Sequence, residues 1–291
     1  MNEFLQFDNI TFENKKHSIS ELKSISLEIR RDIIKMLALA KSGHSGGPLG
    51  LADFMAALFF DNYMKYDSSN PNLPSRDRFV LSAGHLVPVL YSILARAGYF
   101  PIQELSTLRK YGSRLQGHPG LDTELPGIET SSGSLGQGIS IAVGMAMSDK
   151  LISKNSRKVF SLTGDGELQE GTVWEAAMCA SNYKLNNLCW IIDNNDCQID
   201  GRVKDVMSIY PIDEKFKAFG FNTIEIDGHN FEEIRTALNF FEENSKSSSK
   251  PTAIILKTFM GMGVSFMKDK YQWHGNPPSI EQAEQALKEL I

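Results

Sequence analysis

A chain of 291 residues that is 42% hydrophobic and 22% charged has the balance of a globular protein with a sizeable core, which excludes wholesale disorder. Its formal net charge of −5, without a block of lysines or arginines, argues against nucleic acid as a partner. The three cysteines, Cys179, Cys189 and Cys197, lack C-x-x-C spacing and leave one over from any pairing, as in a reduced cytoplasmic protein. No apolar h-region opens the chain, and its most apolar segment, residues 49–60, is broken by Asp53 and shorter than the roughly 20 residues that span a bilayer.

Residues 1–18 are polar with scattered aromatics and predict a loose arm or an edge-packing tail. From Ile19 the pattern turns helical. Leu22, Ile25, Ile29, Ile33 and Leu37 recur at helical steps, with Ser20 as a cap and a stop near Lys41-Ser42-Gly43. Gly43-His44-Ser45-Gly46-Gly47-Pro48-Leu49-Gly50 packs four glycines and a proline into eight residues. It reads equally as a turn with an incidental histidine or as a constrained loop where backbone approaches a ligand. Residues 51–63 are apolar nearly all round, so the helix there is buried.

Asn70-Pro71 and Leu73-Pro74 mark a loop, and residues 77–82 a short strand running into Ala83-Gly84-His85, with a helix over 86–98. His85 falls where open α/β sheets place ligands, outside the carboxyl ends of the strands, or else is a structural histidine. A short helix covers 102–111. The loop 112–129, rich in Gly and Pro, holds Gln116-Gly117-His118-Pro119-Gly120, and long loops in compact domains are commonly functional. Thr130-Ser131-Ser132-Gly133-Ser134-Leu135-Gly136-Gln137-Gly138 then leads into a small-residue helix over 139–152. Gly133 to Gly136 bring backbone to a ligand, whereas Gly138 and Gly144 serve close helix packing.

In Val159-Phe160-Ser161-Leu162-Thr163-Gly164-Asp165-Gly166-Glu167-Leu168-Gln169-Glu170-Gly171 an apolar run meets an acid between two glycines, and a helix over 172–185 follows. A second apolar run, residues 188–192, ends in Asp193-Asn194-Asn195, so strand, helix and strand form a βαβ unit. Residues 200–208 read as loop, 212–219 as helix, 222–226 as strand, 231–243 as helix, 245–250 as surface loop, 252–258 as strand and 279–290 as helix. Without internal repeat or linker, the alternation predicts one doubly wound α/β domain over 19–291, a mostly parallel sheet with helices on both faces.

Asp165 stands at a strand end, with Gly164 and Gly166 leaving its backbone uncovered, so that a phosphate reaches the Gly166 N–H near the start of a helix. A carboxylate repels a phosphate unless a hard cation lies between them. Mg²⁺ takes one or two such oxygens together with substrate phosphates. Asn195, 30 residues on, offers an amide oxygen at the interval of one βαβ unit, and the Cys197 carbonyl completes the set. There is no G-x-G-x-x-G after the first strand and no G-x-x-x-x-G-K-[ST] anywhere. Glu170 is either an acid favoured by the helix dipole or a carboxylate aimed at the cofactor region or at a second copy across an interface. Glu167 fits the dipole reading.

Gly164-Asp165-Gly166 with Asn195 resembles the magnesium-diphosphate motif of thiamine-diphosphate enzymes. The loops Gly43-His44-Ser45-Gly46-Gly47-Pro48, Leu81-Ser82-Ala83-Gly84-His85, Gln116-Gly117-His118-Pro119, Gly133-Ser134-Leu135-Gly136-Gln137-Gly138 and Trp273-His274-Gly275 narrow the resemblance to the transketolase family, over about residues 20–280. It implies the pyrophosphate domain of the thiamine-diphosphate-binding fold, with thiamine diphosphate and Mg²⁺ (or Ca²⁺ or Mn²⁺ in its place) as cofactors. Asp165, Asn195 and the Cys197 carbonyl would hold the metal. His85, Gly166 and His274 would meet the diphosphate, and Gly133 and Leu135 the cofactor. His44, His118 and His274 would surround the sugar, and Glu170 would link two cofactor sites across a subunit interface. The catalytic set is then His44, His85, His118, His274 and Glu170. One departure is Ser45-Gly46-Gly47, where full-length enzymes often have Pro-Gly-Ala.

Transketolases usually carry a pyrimidine-binding domain and a third domain after this one. The resemblance therefore implies the N-terminal subunit of a split transketolase, inactive alone and completed by a C-terminal subunit in a two-plus-two assembly. The implied reaction moves a two-carbon ketol unit from a ketose to an aldose, phosphorylated or not, with no role for nucleic acid or membrane. Alternatives are a split relative acting on a modified sugar, a deoxyxylulose-phosphate-synthase-like subunit and a 2-oxo-acid-dehydrogenase-α-like one. The sugar-facing histidines favour transketolase over the last two. A non-catalytic scaffold is disfavoured by the intact Asp165, Asn195 and histidines.

Overall fold

Along Leu188–Asn194 successive side chains point to opposite faces, and both faces are apolar: Leu188, Trp190 and Ile192 enter one core, Cys189 and Ile191 the other. Such a strand is stable only with helices on both sides. The computed structural model describes residues 3–291. Its central sheet has β1 (Arg78–Leu81), β2 (Val159–Gly164), β3 (Leu188–Asn194), β6 (Asn222–Asp227) and β7 (Thr252–Lys257), all parallel, in the order β1-β2-β3-β7-β6. A small antiparallel hairpin, β4 (Cys197–Gln198) and β5 (Gly201–Arg202), follows β3. This is the doubly wound α/β fold that the sequence predicts.

The first face is covered by α1 (Ile19–Ala40), α2 (Gly46–Phe60) and α3 (Val87–Arg96), with the later α8 (Phe231–Ser247) and α9 (Ile280–Glu289). The other face carries α4 (Gln137–Met147), α5 (Gly171–Asn182), the one-turn α6 (Val203–Val206) and α7 (Ile212–Ala218), whose buried side chains join Val159, Trp190 and Ile255. The two cores lie on opposite sides of one sheet, and the carboxyl ends of all five strands share an edge.

Several boundaries differ from expectation. The α1 cap is Ser18, not Ser20: Ser18 Oγ accepts from the Glu21 N–H while Glu21 reaches back to the Ser18 N–H. α2 starts inside the glycine loop, at Gly46, where a Cβ would lie 2.2 Å from Met260 Cγ. Residues 102–111 hold only a 3₁₀ segment, Ile102–Thr107. The stretch 200–208 is not plain loop: Val203 is buried and Asp196 Oδ1 accepts from the Lys204 N–H, which organises β5 and α6. α8 runs on to Ser247, into the segment expected to be loop. Beyond α4 a π-type turn spans Ser148–Ile152.

The described part of the amino-terminal segment packs. Leu5 is buried, Phe12 sets its ring edge-on to Phe60 at 5.6 Å, and buried Arg96 pairs with Asp32 and Asp8. Another buried network joins four elements. Asp53 on α2 takes both guanidinium nitrogens of Arg30 (2.9 and 2.5 Å) and His229 Nδ1 (2.9 Å); His229 Nε2 accepts from the Phe259 N–H. It fixes the loop after β7 against α1 and α2. Among the described residues no helix is long and apolar enough to cross a membrane.

Candidate active site

Parallel strands deliver their carboxyl ends to one edge, and there β2 and β3 set Asp165 and Asn195 side by side. The cleft they floor has a volume of about 340 Å³ and is lined by His44, His85, His118, Gly133, Leu135, Asp165, Gly166, Glu170, Asn195, Cys197 and His274. Every residue that the sequence singles out therefore borders one space, although the residues come from segments spread over the whole chain.

At the floor, Asp165 Oδ1 accepts from the Gly166 N–H (2.7 Å) and Oδ2 from the Asp196 N–H (2.6 Å). No basic side chain pairs with it among the described residues. Burial, helped by the nearby Asp193 charge, raises its pKa well above the usual carboxylate range. A buried carboxylate without a counter-charge is unfavourable, and a bound divalent cation would reverse that. The Asn195 amide nitrogen donates to Asp193 Oδ2 (2.7 Å), so its oxygen faces the Cys197 N–H (2.9 Å) and the cleft. Asp193 is itself buried, with a pKa raised to about 6 by burial, and takes the Thr258 hydroxyl on its other oxygen. The Asp165 carboxylate and the Asn195 amide line the same cleft as Cys197, and oxygen donors of this kind are what Mg²⁺ accepts. No cluster of three or more His, Cys, Asp or Glu side chains suited to a metal occurs among the described residues, so a thiolate-imidazole centre is not built here. Burial pushes the pKa of the Cys197 thiol up to about 12, and its sulfur accepts from Arg202 Nη1 (3.2 Å).

Above the floor four imidazoles gather. Ring centroids lie 5.2 Å apart for His44 and His85, 6.2 Å for His44 and His118, 5.6 Å for His44 and His274, and 4.9 Å for His85 and His274. All four have lowered pKa values, with burial as the main cause, followed in His44 and His85 by repulsion from the neighbouring imidazoles. That of His44 falls to about 4. They are therefore neutral near pH 7 and offer one N–H and one lone pair each. Nδ1 of His44 and of His274 is buried and has no hydrogen-bond partner among the described residues. Unused polar atoms of this kind in a cleft are ready for ligand hydroxyls.

Glycines let the walls close up. Gly133 has φ +145°, and a Cβ there would meet the His118 ring at 3.1 Å. Gly138 behaves as expected, since a Cβ would lie 2.6 Å from Ser82 Cα, but Gly144 has open space around it and packs nothing within this chain. Glu170 is the exposed N-cap of α5 at the rim of the cleft and not a first-turn residue.

Glu167 is a correction. The side chain is not on a solvated helix start but 2% exposed, and burial raises its pKa to about 7. Sequence reasoning also passes over Asp193, Met260 and Ile199, which line the same cleft. Ile199 sits at the tip of the β4–β5 hairpin, 65% exposed, and an apolar residue beside the Asp200-Gly201 turn was its only signal.

Residues 22–290 match the family model described as "Transketolase, thiamine diphosphate binding domain". The chain belongs to the transketolase family. Its fold agrees with that of the crystal structure of transketolase from Campylobacter jejuni, with a TM-score of 0.85 at 35% identity over 94% of this chain and 43% of that one. It is 42% identical to the transketolase of Pongo abelii over 277 residues, again 94% of this chain but only 43% of that relative, so it spans less than half the length of such transketolases. Two further transketolase relatives are matched along nearly their whole length. One is a subunit of the apulose-4-phosphate transketolase of Phocaeicola vulgatus, 39% identical, with 94% of each chain covered. The other is "6-deoxy-6-sulfo-D-fructose transketolase subunit SqwG" of a Clostridium species, also 39% identical, with 92% of this chain and 97% of that one covered.

Proposed function

We propose that this chain is the diphosphate- and metal-binding half of a two-subunit transketolase, which transfers a two-carbon ketol unit from a ketose to an aldose. The observation that carries the reading is the joining of two chemistries in one cleft: an oxygen-donor floor at Asp165, Asn195 and Cys197 beneath a ring of neutral histidines. Asp165, the Asn195 amide oxygen and the Cys197 carbonyl would hold Mg²⁺, and Gly166, His85 and His274 would meet the diphosphate of thiamine diphosphate. When bound, that cofactor supplies the stabilised carbanion that two-carbon transfer needs. His44, His118 and His274 orient the sugar by hydrogen bonds to its hydroxyls. Being neutral, each accepts or donates a proton at a ring nitrogen near pH 7. Glu170, exposed at the rim, is placed to meet a second subunit.

The whole-length likeness to proteins that are each named as one subunit of a transketolase supports a separate C-terminal partner carrying the pyrimidine-binding part, in a two-plus-two assembly. The same two names favour a specialised sugar, since they specify apulose-4-phosphate and 6-deoxy-6-sulfo-D-fructose, as a second reading of the donor. The test is an assay of the chain alone and together with its C-terminal counterpart, with thiamine diphosphate and Mg²⁺, on a panel of phosphorylated and modified ketoses. Ketol transfer by the pair alone is expected. Turnover by the single chain would sink the two-subunit reading, and activity of the pair on pyruvate instead would move the assignment to another thiamine-diphosphate reaction.

A further inference from the structure

Glu167 has an environment that a helix-start acid does not need. It lies in the short 3₁₀ segment Gly166–Gln169, with its side chain turned inward beneath the cleft. Its Oε1 accepts from the Ser82 hydroxyl and from the Gly136 N–H (2.7 Å), and its Oε2 accepts from the Gly164 N–H (3.2 Å). Ser82 Oγ in turn accepts from the Ile139 N–H (2.9 Å). No lysine, arginine or histidine pairs with it among the described residues.

Each donor belongs to a different segment, and each segment carries a residue of the cleft. Ser82 follows β1 and precedes His85. Gly136 follows Gly133 and Leu135. Gly164 ends β2 and precedes Asp165. These segments already touch: a Cβ at Gly84 would lie 2.8 Å from the Gly133 nitrogen. Burying an unpaired carboxylate is unfavourable, and an apolar side chain would fill the volume without that cost. What an apolar side chain lacks is acceptors for three donors that arrive from three directions.

We propose that Glu167 is a positioning residue, a carboxylate latch that sets the mutual spacing of the His85, Gly133–Leu135 and Asp165 segments and so shapes the pocket before any cofactor enters. Its link to thiamine diphosphate rests on the function proposed above; the latch itself does not. A glutamine cannot replace it, because its –NH₂ would face either the Gly164 N–H or the Ser82 and Gly136 donors.

The test uses the full chain with Glu167→Gln. Amide hydrogen exchange, run without cofactor, is expected to speed up by about tenfold or more at Gly136 and Gly164 while β6 and α8 are unchanged. Affinity for thiamine diphosphate with Mg²⁺, measured by calorimetry, is expected to fall roughly ten- to hundredfold, the usual effect of losing a supporting hydrogen-bond shell. Exchange that is unchanged at those two amides, or that rises evenly along the chain as general destabilisation would make it, overturns the proposal. Should the variant not fold, Ser82→Ala leaves the carboxylate and removes one arm. Selective loosening around Gly136 is then expected, and its absence overturns the latch equally. If the unaltered chain together with its C-terminal counterpart binds no thiamine diphosphate with Mg²⁺, the functional reading falls, while the exchange data on the chain still decide on Glu167.

Discussion

The Asn195 amide nitrogen donates to Asp193 Oδ2 at 2.7 Å, and this bond decides which way the amide faces. With the nitrogen committed to Asp193, the oxygen is the atom presented toward the Cys197 N–H and the cleft. Asp193→Asn removes that discrimination, because an amide in its place can accept or donate. We expect Mg²⁺ affinity in the presence of thiamine diphosphate to fall roughly ten- to hundredfold by titration calorimetry. Unaltered affinity would show that Asn195 needs no such orientation. Asp165→Ala should go further and abolish metal-dependent cofactor binding.

The histidine cluster makes the fold sensitive to acid. The folded-state pKa of His44 is about 4, against an ordinary value of 6.5, and His85, His118 and His274 shift the same way. Between those values the unfolded chain binds protons that the folded chain refuses. Their contribution to stability therefore rises with pH across that window, is fully present above about 6.5, and is lost as pH falls toward about 4. Buried Asp165, Asp193 and Glu167, whose pKa values are raised, act in the opposite direction. The His44 part is therefore read as the difference between the unaltered chain and His44→Asn in urea unfolding at a series of pH values, a difference that changes between about 6.5 and 4. A slope identical in the variant would mean that His44 titrates normally.

Two glycines of α4 should respond in opposite directions. Gly138→Ala forces a methyl to within 2.6 Å of Ser82 Cα, and backbone does not yield easily. The expected loss is about 1–3 kcal/mol, as for other overpacked sites. Gly144→Ala meets nothing within 4 Å and gains helix propensity, so the isolated chain should become up to about 1 kcal/mol more stable. Thermal unfolding of both variants checks the pair.

Asp53 is the common partner of Arg30 and His229. Asp53→Ala leaves the Arg30 guanidinium buried without a counter-charge, which is expected to destabilise the chain by about 3–5 kcal/mol. It also releases the Phe259 N–H contact that His229 maintains. Denaturant midpoints would register the loss, and a change under about 1 kcal/mol would show that the network relaxes onto water.

The centre of the sheet was legible because β2 and β3 are apolar on both faces and end in Gly164 and Asn194, which periodicity and turn chemistry expose directly. The site residues followed from where such runs stop, at Asp165 and Asn195, and from histidines set among glycines. What escaped depends on distant chain. Glu167 looks like a dipole acid until Ser82 and Gly136, which are remote in sequence, fold onto it. Gly144 looks like a packing glycine because local sequence cannot show whether a neighbour stands opposite. Gly46, the first residue of α2, has no room for a side chain because Met260, more than two hundred residues downstream, crosses it. The Ser18 cap was missed for a different reason, since Ser18 and Ser20 both satisfy the local pattern and only the geometry of Glu21 chooses between them.

Because all five strands run parallel, the chemistry lies in connections that leave from one edge, while both cores lie along the strands beneath it. Substrate choice and thermodynamic stability are then written in largely separate parts of the polypeptide. The loop 112–129, which brings His118 to the cleft, is anchored in the core by Leu115, Leu125 and Ile128, and its exposed positions, such as Leu121 and Asp122, lie between those anchors. On the function proposed above, changes confined to such exposed positions would let sugar preference vary at nearly constant stability.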